Sequence, residues 1–356
     1  MVGLQWSDVF LMGNDLGFAV GQPTFVTKTD SGTPDDGNYA MELWYQFQVT
    51  DNIAITPGVF WLSRPYGELT PNDKSIGIFG DYDVDGATSS ALLARFLAAI
   101  GVPARVYIPD RITEGYGPTS PAMLRLRAEG IGLVVTVDCG TTAFGPLEAA
   151  GEAGLDVIVV DHHVAEPALP RAVSVINPNR LDDTSGHGAL AAVGVSFLFA
   201  IATNRMLRDT GWYQTSGRKE PDLLGLLDLV ALGTVCDVVP LVGLNRAFVS
   251  QGLKVMARRQ NPGLVALADV ARVDSRLTEY HAGFLLGPRV NAGGRVGEAP
   301  MGARLLMTPD PAEAAELAER RARDRVVGDG VPNPALARFV GTVPDAHAWE
   351  GDTREK

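Results

Sequence analysis

Cysteine is nearly missing from this chain of 356 residues, with only Cys139 and Cys236 present. Two thiols are too few for a disulfide framework, and they lack the spacing of a structural zinc site. No run of about 18 residues stays apolar without interruption, so no membrane-spanning helix is expected. The opening segment, MVGLQWSDVFLMGNDLG, has no basic start, no long apolar core and no small-residue cleavage site, so no secretion leader is expected there. Repeats and low-complexity tracts are missing as well. These absences point to a protein of the reducing cytoplasm with no membrane partner. An excess of positive charge is also lacking: the formal net charge is −12, whereas nucleic-acid binders are usually basic. Residues 1–74 carry three basic and nine acidic side chains and so account for half of that excess. Aspartates that hold a cation would be offset by it, so net charge alone leaves the partner open.

What is present is the composition of a folded protein, 46% hydrophobic and 20% charged. The texture changes twice along the chain. Residues 1–74 are rich in Gly, Thr, Asp and aromatics, and Met41, Leu43, Tyr45, Phe47 and Val49 alternate as in a strand. Pro57-Gly58 interrupts a second candidate strand between Ile53 and Leu62. From residue 75 short β-branched runs at 76–79, 105–108, 133–137, 156–160 and 173–176 alternate with helical segments at 87–100, 119–129 and 142–153. This alternation predicts an α/β fold, a parallel sheet flanked by helices. A helical portion follows, at 188–208, 222–235, 242–259 and 276–286. A charged Ala/Glu/Arg segment comes after residue 310. The expected domains are a β-rich N-terminal extension over 1–74, a catalytic unit over 75–320 and a loose tail over 321–356.

In an open α/β sheet the functional groups gather at the carboxyl ends of the strands, and the polar residues sit there. The first strand of the sheet runs into Asp81, Asp83 and Asp85, the third ends at Asp138, and the fourth at Asp161-His162-His163. A later apolar helix delivers Asp237 within GTVCDVVPL. Any one of these aspartates could be a helix cap, and Asp81, Asp83 and Asp85 together could form an acidic phosphoacceptor pocket. His162-His163 alone is equally core hydrogen bonding or ligation. Jointly, uncompensated carboxylates at one place would cost several kcal/mol of repulsion and desolvation. One or two divalent cations resolve that cost. Carboxylates with imidazoles and no thiolate set suit manganese or magnesium. Cys139, Cys236, His187 and His281 read as structural residues, and His347 has no context.

The ordered strings DYDVDG, VDCG, VDHH, GTVCDVVPL and, at 287–295, GPRVNAGGR resemble the DHH phosphoesterase superfamily, and within it the RecJ exonuclease family. YIPDRITEGYG at 107–117, INPNR at 176–180 and GAL-x-x-VGVSF at 188–197 add to the likeness. The resemblance implies that Asp83, Asp85, Asp138, His162, His163 and Asp237 are metal ligands and that Asp81 completes the site or orients a ligand. It implies that Arg289, Asn291 and Arg295 face the scissile phosphate or the strand backbone, with Arg111 also binding substrate. Their alternative is a capped helix end with surface arginines. His163 is the candidate to support the transition-state phosphate and His162 to sit on the metal, though sequence does not order the pair. The implied activity is 5′ to 3′ hydrolysis of single-stranded DNA in recombination and repair.

Two departures from that family are visible. Its members continue into a C-terminal domain with a Gly-Gly-His motif and an OB-fold, whereas VVGDGVPNPALARF after RRARDR does not read as a continuing helix. The expectation is a truncated chain with impaired activity. The second departure is NYAMELWYQFQVTDNIAITPGVFWLSRP, which resembles strands of a cyanobacterial outer-membrane porin; an ordinary hairpin is the alternative, and a foreign segment contributing little to catalysis is the expectation. Other functions remain open: a phosphodiesterase for short oligonucleotides or cyclic dinucleotides, a pyrophosphatase-like enzyme, or a catalytically silent fragment. The oligomeric state is open as well.

Overall fold

The computed structural model describes residues 2–7, 15–21, 40–50, 53–55, 58–62, 75–273, 276–291 and 299–328. Below residue 75 it describes backbone pairing alone. β1 (Val2–Ser7), β2 (Asp15–Gly21), β3 (Ala40–Thr50), β4 (Ile53–Ile55) and β5 (Gly58–Leu62) form an antiparallel sheet. β2 lies between β1 and β3, so that Phe18 faces Leu4 on one side and Leu43 on the other. β3 pairs with both β4 and β5 and shifts register between Gln48 and Thr50. The alternating run from Met41 to Val49 is contained in β3. The Pro57 of the break falls outside the described residues.

The second sheet is the one that organises the chemistry. β6 (Ser75–Gly80), β7 (Ala104–Tyr107), β8 (Ile131–Val137), β9 (Asp156–Val160) and β10 (Ser174–Ile176) are all parallel, in the order β10-β9-β8-β6-β7. Between them run α1 (Val84–Ala99), α2 (Ser120–Ala128) and α3 (Phe144–Glu152). The α/β reading of the sequence holds, because β-branched runs of four to seven residues can bury both faces. Neighbouring residues of a strand serve opposite sides. Ile78, Val135, Val137 and Val160 pack into one core, and Phe79, Val134, Val157 and Val159 into the other with Met123, Leu126 and Leu147 of α2 and α3. After β6 the chain steps to β7 on one side and then crosses to β8 on the other. The switch point therefore lies between β6 and β8, where a crevice opens at the carboxyl ends of the strands.

The helical portion covers the face that carries α1. It comprises α4 (Ala192–Asp209), α5 (Trp212–Ser216), a 3-10 turn at Leu223–Leu226, α6 (Leu227–Cys236), α7 (Gly243–Met256), α8 (Pro262–Val270), a π-helical stretch at His281–Leu286 running into α9 (Gly287–Asn291), α10 (Met301–Met307) and α11 (Pro311–Gly328). α6 is buried on all sides, and Leu229, Val230, Ala231 and Leu232 are inaccessible to solvent, as befits a central helix. Two expectations shift. The helix expected from residue 188 starts at Ala192, because 188–189 lie in a turn, where the Leu190 N–H bonds the His187 carbonyl, and Ala191 is extended ahead of the helix. α11 continues past RRARDR through two valines to Gly328, a residue that commonly closes helices. Among the described residues no helix is long and apolar enough to cross a membrane.

Candidate metal centre

DYDVDG turns the end of β6 into α1. Asp83 caps that helix, its side chain accepting from the Gly86 N–H at 2.9 Å, and Asp85 enters the first turn. Gly86 has to be a glycine, since a Cβ there would meet the backbone oxygen of Asp81 at 2.5 Å. The turn can thus fold tightly enough to hold Asp81 beside Asp83. Asp138 follows β8 with φ 59, a conformation that costs a non-glycine residue energy and that clusters at functional sites. Asp237 ends α6, and Val238 behind it is also left-handed, at φ 60.

These groups converge. Asp81, Asp83 and Asp138 form one set, Asp85, His162 and Asp237 a second, and Asp138, His162 and His163 a third; within each set one ligand atom per residue lies within 4.8 Å of the others. His162 sits at the join: Nε2 is 3.3 Å from Asp138 and 3.9 Å from Asp85, and Nδ1 is 3.7 Å from Asp237. Nδ1 is also 3.0 Å from the Leu190 carbonyl. A proton donated there leaves the Nε2 lone pair facing the carboxylates, the tautomer that a ligand needs. Asp85 is fully buried, and its two oxygens accept from the Ala192 and Val193 N–H groups at 2.6 and 2.9 Å, at the N-terminus of α4.

The electrostatics indicate what is held. Burial first, and then Asp83, pushes Asp81 up to about 7. Burial and the neighbouring carboxylates raise Asp85 and Asp138 well above the ordinary carboxylate range. Burial raises Asp237 as well, against the pull of His162. Among the described residues the ion-pair contacts of Asp85, Asp138 and Asp237 are all with His162. Asp81 Oδ1 and Asp237 Oδ2 are buried with no hydrogen-bond partner. Oxygen donors left in this condition, with one imidazole among them, fit a hard or borderline divalent cation.

Several supporting residues were not visible in the sequence as such. Asp161 Oδ1 accepts from the His162 and His163 N–H groups and from His163 Nδ1 at 2.7 Å, while Oδ2 accepts from the Thr141 N–H. Asn177 Nδ2 donates to Thr141 Oγ1 and to the His163 carbonyl, both at 2.8 Å. Asn179 Nδ2 donates to the carbonyls of His162 and Gly188. The INPN string therefore has a local meaning, fastening the two histidines by their backbone. Tyr116 donates to the Asp138 carbonyl at 3.1 Å and meets the His163 ring edge-on.

The expected phosphate contacts are placed less uniformly. Arg111 is exposed, stacks over Tyr82 at 5.1 Å and acts electrostatically on Asp81, which puts it at the rim of the centre. Arg289 and Asn291 belong to α9, with Arg289 Nη1 donating to the Leu285 carbonyl at 2.7 Å. Arg295 lies outside the described residues.

Comparison with known proteins agrees with this geometry. Residues 75–234 match the DHH family, N-terminal domain, and residues 10–80 match the carbohydrate-selective porin, OprB family. The single-stranded-DNA-specific exonuclease RecJ of Dickeya dadantii is 42% identical over 250 residues, spanning 69% of this chain and 43% of that protein. RecJ of Escherichia coli is 41% identical over 244 residues, 68% of this chain and 42% of its own length. The chain thus spans less than half the length of these curated relatives. A crystal structure of exonuclease RecJ bound to manganese superposes with a TM-score of 0.64 at 34% identity, covering 76% of this chain and 66% of the other. RecJ of Thermus thermophilus in complex with Mn2+ gives 0.61 at 33% identity, covering 76% and 38%. With its aspartates and histidines gathered at the switch point of a parallel sheet, the chain matches the DHH family through residues 75–234 and is similar to proteins of RecJ type.

Proposed function

We propose that this chain is a metal-dependent phosphodiesterase that removes nucleotides from single-stranded DNA, with residues 75–320 as its catalytic unit. The observation that carries this reading is the meeting of Asp81, Asp83, Asp85, Asp138, Asp237, His162 and His163 at one crevice. Asp83, Asp85, Asp138, His162 and Asp237 would hold one or two manganese or magnesium ions, with Asp81 and His163 completing the sets. Divalent cations, when bound, make water a nucleophile near neutral pH and neutralise the leaving oxygen of a phosphodiester. The manganese bound by the similar RecJ structures supports that metal, and the names of the relatives support the substrate.

The chain's own residues supply the rest. The Asp161 carboxylate on Nδ1 of His163, ahead of the opposing effect of burial, raises that imidazole's pKa. In its protonated form the half-exposed His163 can donate to a non-bridging phosphate oxygen. Arg111, Arg289 and Arg295 would add charge-assisted bonds to the phosphates, and Asn291 would donate to the strand backbone. The family resemblance carries the 5′ to 3′ direction into the proposal.

The test is hydrolysis by the full chain with Mn2+ of a long single strand, the same strand as a duplex, a dinucleotide and pyrophosphate. Mononucleotides should be released from the single strand, and Asp138→Ala should lower the rate by on the order of 10³-fold or more. Turnover of the small substrates alone would overturn the exonuclease reading. A rate untouched by Asp138→Ala would place the activity elsewhere, and Mn2+ uptake without any turnover would mean a silent catalytic unit.

A further inference from the structure

Two backbone segments far apart in sequence flank the ligands of the centre. One is 188–193, between β10 and the body of α4. Its Leu190 carbonyl fixes the His162 ring, and its Ala192 and Val193 N–H groups hold both oxygens of Asp85. The other is 237–242, which carries Asp237 past the left-handed Val238 into α7. Asn245, in the first turn of α7 and 1% exposed, joins them. Its Nδ2 donates to the Ala189 carbonyl at 2.6 Å and to the Pro240 carbonyl at 3.0 Å.

We propose that Asn245 is a positioning residue of the metal centre, an amide clamp that sets the distance between Asp237 and the His162–Asp85 pair. The proposal rests on the metal-centre reading given above. The chemistry of the clamp is specific. Two carbonyls from different segments converge on one nitrogen, so the residue there must offer two N–H donors from a single atom. Serine offers one hydroxyl proton, and an ionised aspartate offers none. The buried Oδ1 of Asn245 has no hydrogen-bond partner, so the side chain is held by its donors alone. The clamped segment is fastened at successive carbonyls, Gly188 to Asn179, Ala189 to Asn245 and Leu190 to His162. Releasing Ala189 frees the middle of that row, and both Asp85 donors lie within four residues of it.

Mn2+ affinity, read from the free-ion electron paramagnetic resonance signal without DNA, tests this in Asn245→Ala and Asn245→Asp. Both variants should bind Mn2+ about 10- to 100-fold more weakly, the range usual for residues that orient ligands, with kcat lowered and the KM for the strand within two-fold. Asn204→Ala is the matched control. It removes an equally buried amide from the outer part of α4, bonded to Glu220 and Tyr213, and should lower Tm with Mn2+ affinity within two-fold. Folded Asn245 variants with unchanged affinity overturn the proposal, as does an equal loss in Asn204→Ala. If neither variant folds, the side-chain amide resonance of Asn245 in the wild-type chain decides: a shift on Mg2+ addition supports the clamp and its absence overturns it. Wild-type protein that takes up no Mn2+ sinks the metal centre itself, an outcome distinct from failure of the clamp alone.

Discussion

Asp138 and Asp161 end neighbouring parallel strands, yet their carboxyls meet opposite conditions. Asp138 is raised by burial and by the aspartates around it. Burial acts on Asp161 in the same direction, but the hydrogen bonds from His163 and Thr141 outweigh it and hold its carboxyl below the ordinary range. Asp161 thus serves the histidine and stays ionised. The stability it contributes is present above its unfolded pKa, about 3.9, and is lost as pH falls through the folded value. His163, raised, contributes stability that is complete below about 6.5 and is lost as pH rises through its folded value. Asp161→Asn should therefore move the His163 ionisation downward, read by NMR, and lower turnover about 10- to 100-fold. An unmoved titration would show that Asp161 does not govern this imidazole. At this scale the sequence was most legible where a side chain ends a strand, as with Asp138 and His162. It was silent on Asn245, and it flagged Asn179 within INPNR without showing what that residue bonds, since the partners of both are backbone carbonyls.

Helix α1 shows how an element carries the site. Its first turn holds Asp85, and its preceding turn packs so closely that Gly86 has no room for a Cβ. Helix propensity alone would favour alanine there by about 1 kcal/mol. The contact with Asp81 reverses that sign: Gly86→Ala should destabilise by about 1–3 kcal/mol and weaken Mn2+ binding, measured by thermal unfolding and metal titration. A more stable variant with wild-type affinity would contradict the packing described. The strands and α1 to α3 were legible because their hydrophobic runs have the length and spacing of a parallel fold. α8 was not anticipated, although Asn261 caps it and Pro262 opens it. A helix was expected over 276–286, and its stretch His281–Leu286 takes the π form, packed against α6, where the Cys236 thiol reaches the Ala282 carbonyl at 3.5 Å.

Over the whole molecule, a net charge of −12 is compatible with the polyanionic substrate proposed above. Five of its carboxylates, Asp81, Asp83, Asp85, Asp138 and Asp237, are concentrated where cations would neutralise them. The same concentration sets the response to pH. Asp81, Asp85, Asp138 and Asp237 are all raised in the metal-free fold, so the stability tied to their protonated forms is present below about pH 4 and is lost as pH rises through their folded values, about 7 for Asp81. Cation binding opposes that loss and must displace the protons. The most direct measurement is therefore an Mn2+ titration of the full chain near pH 7, with proton release recorded alongside and repeated on Asp138→Ala. The account predicts saturable uptake, protons released on binding, and uptake weakened or abolished by the substitution. Failure to take up Mn2+, or uptake that releases no protons and ignores Asp138→Ala, would contradict it.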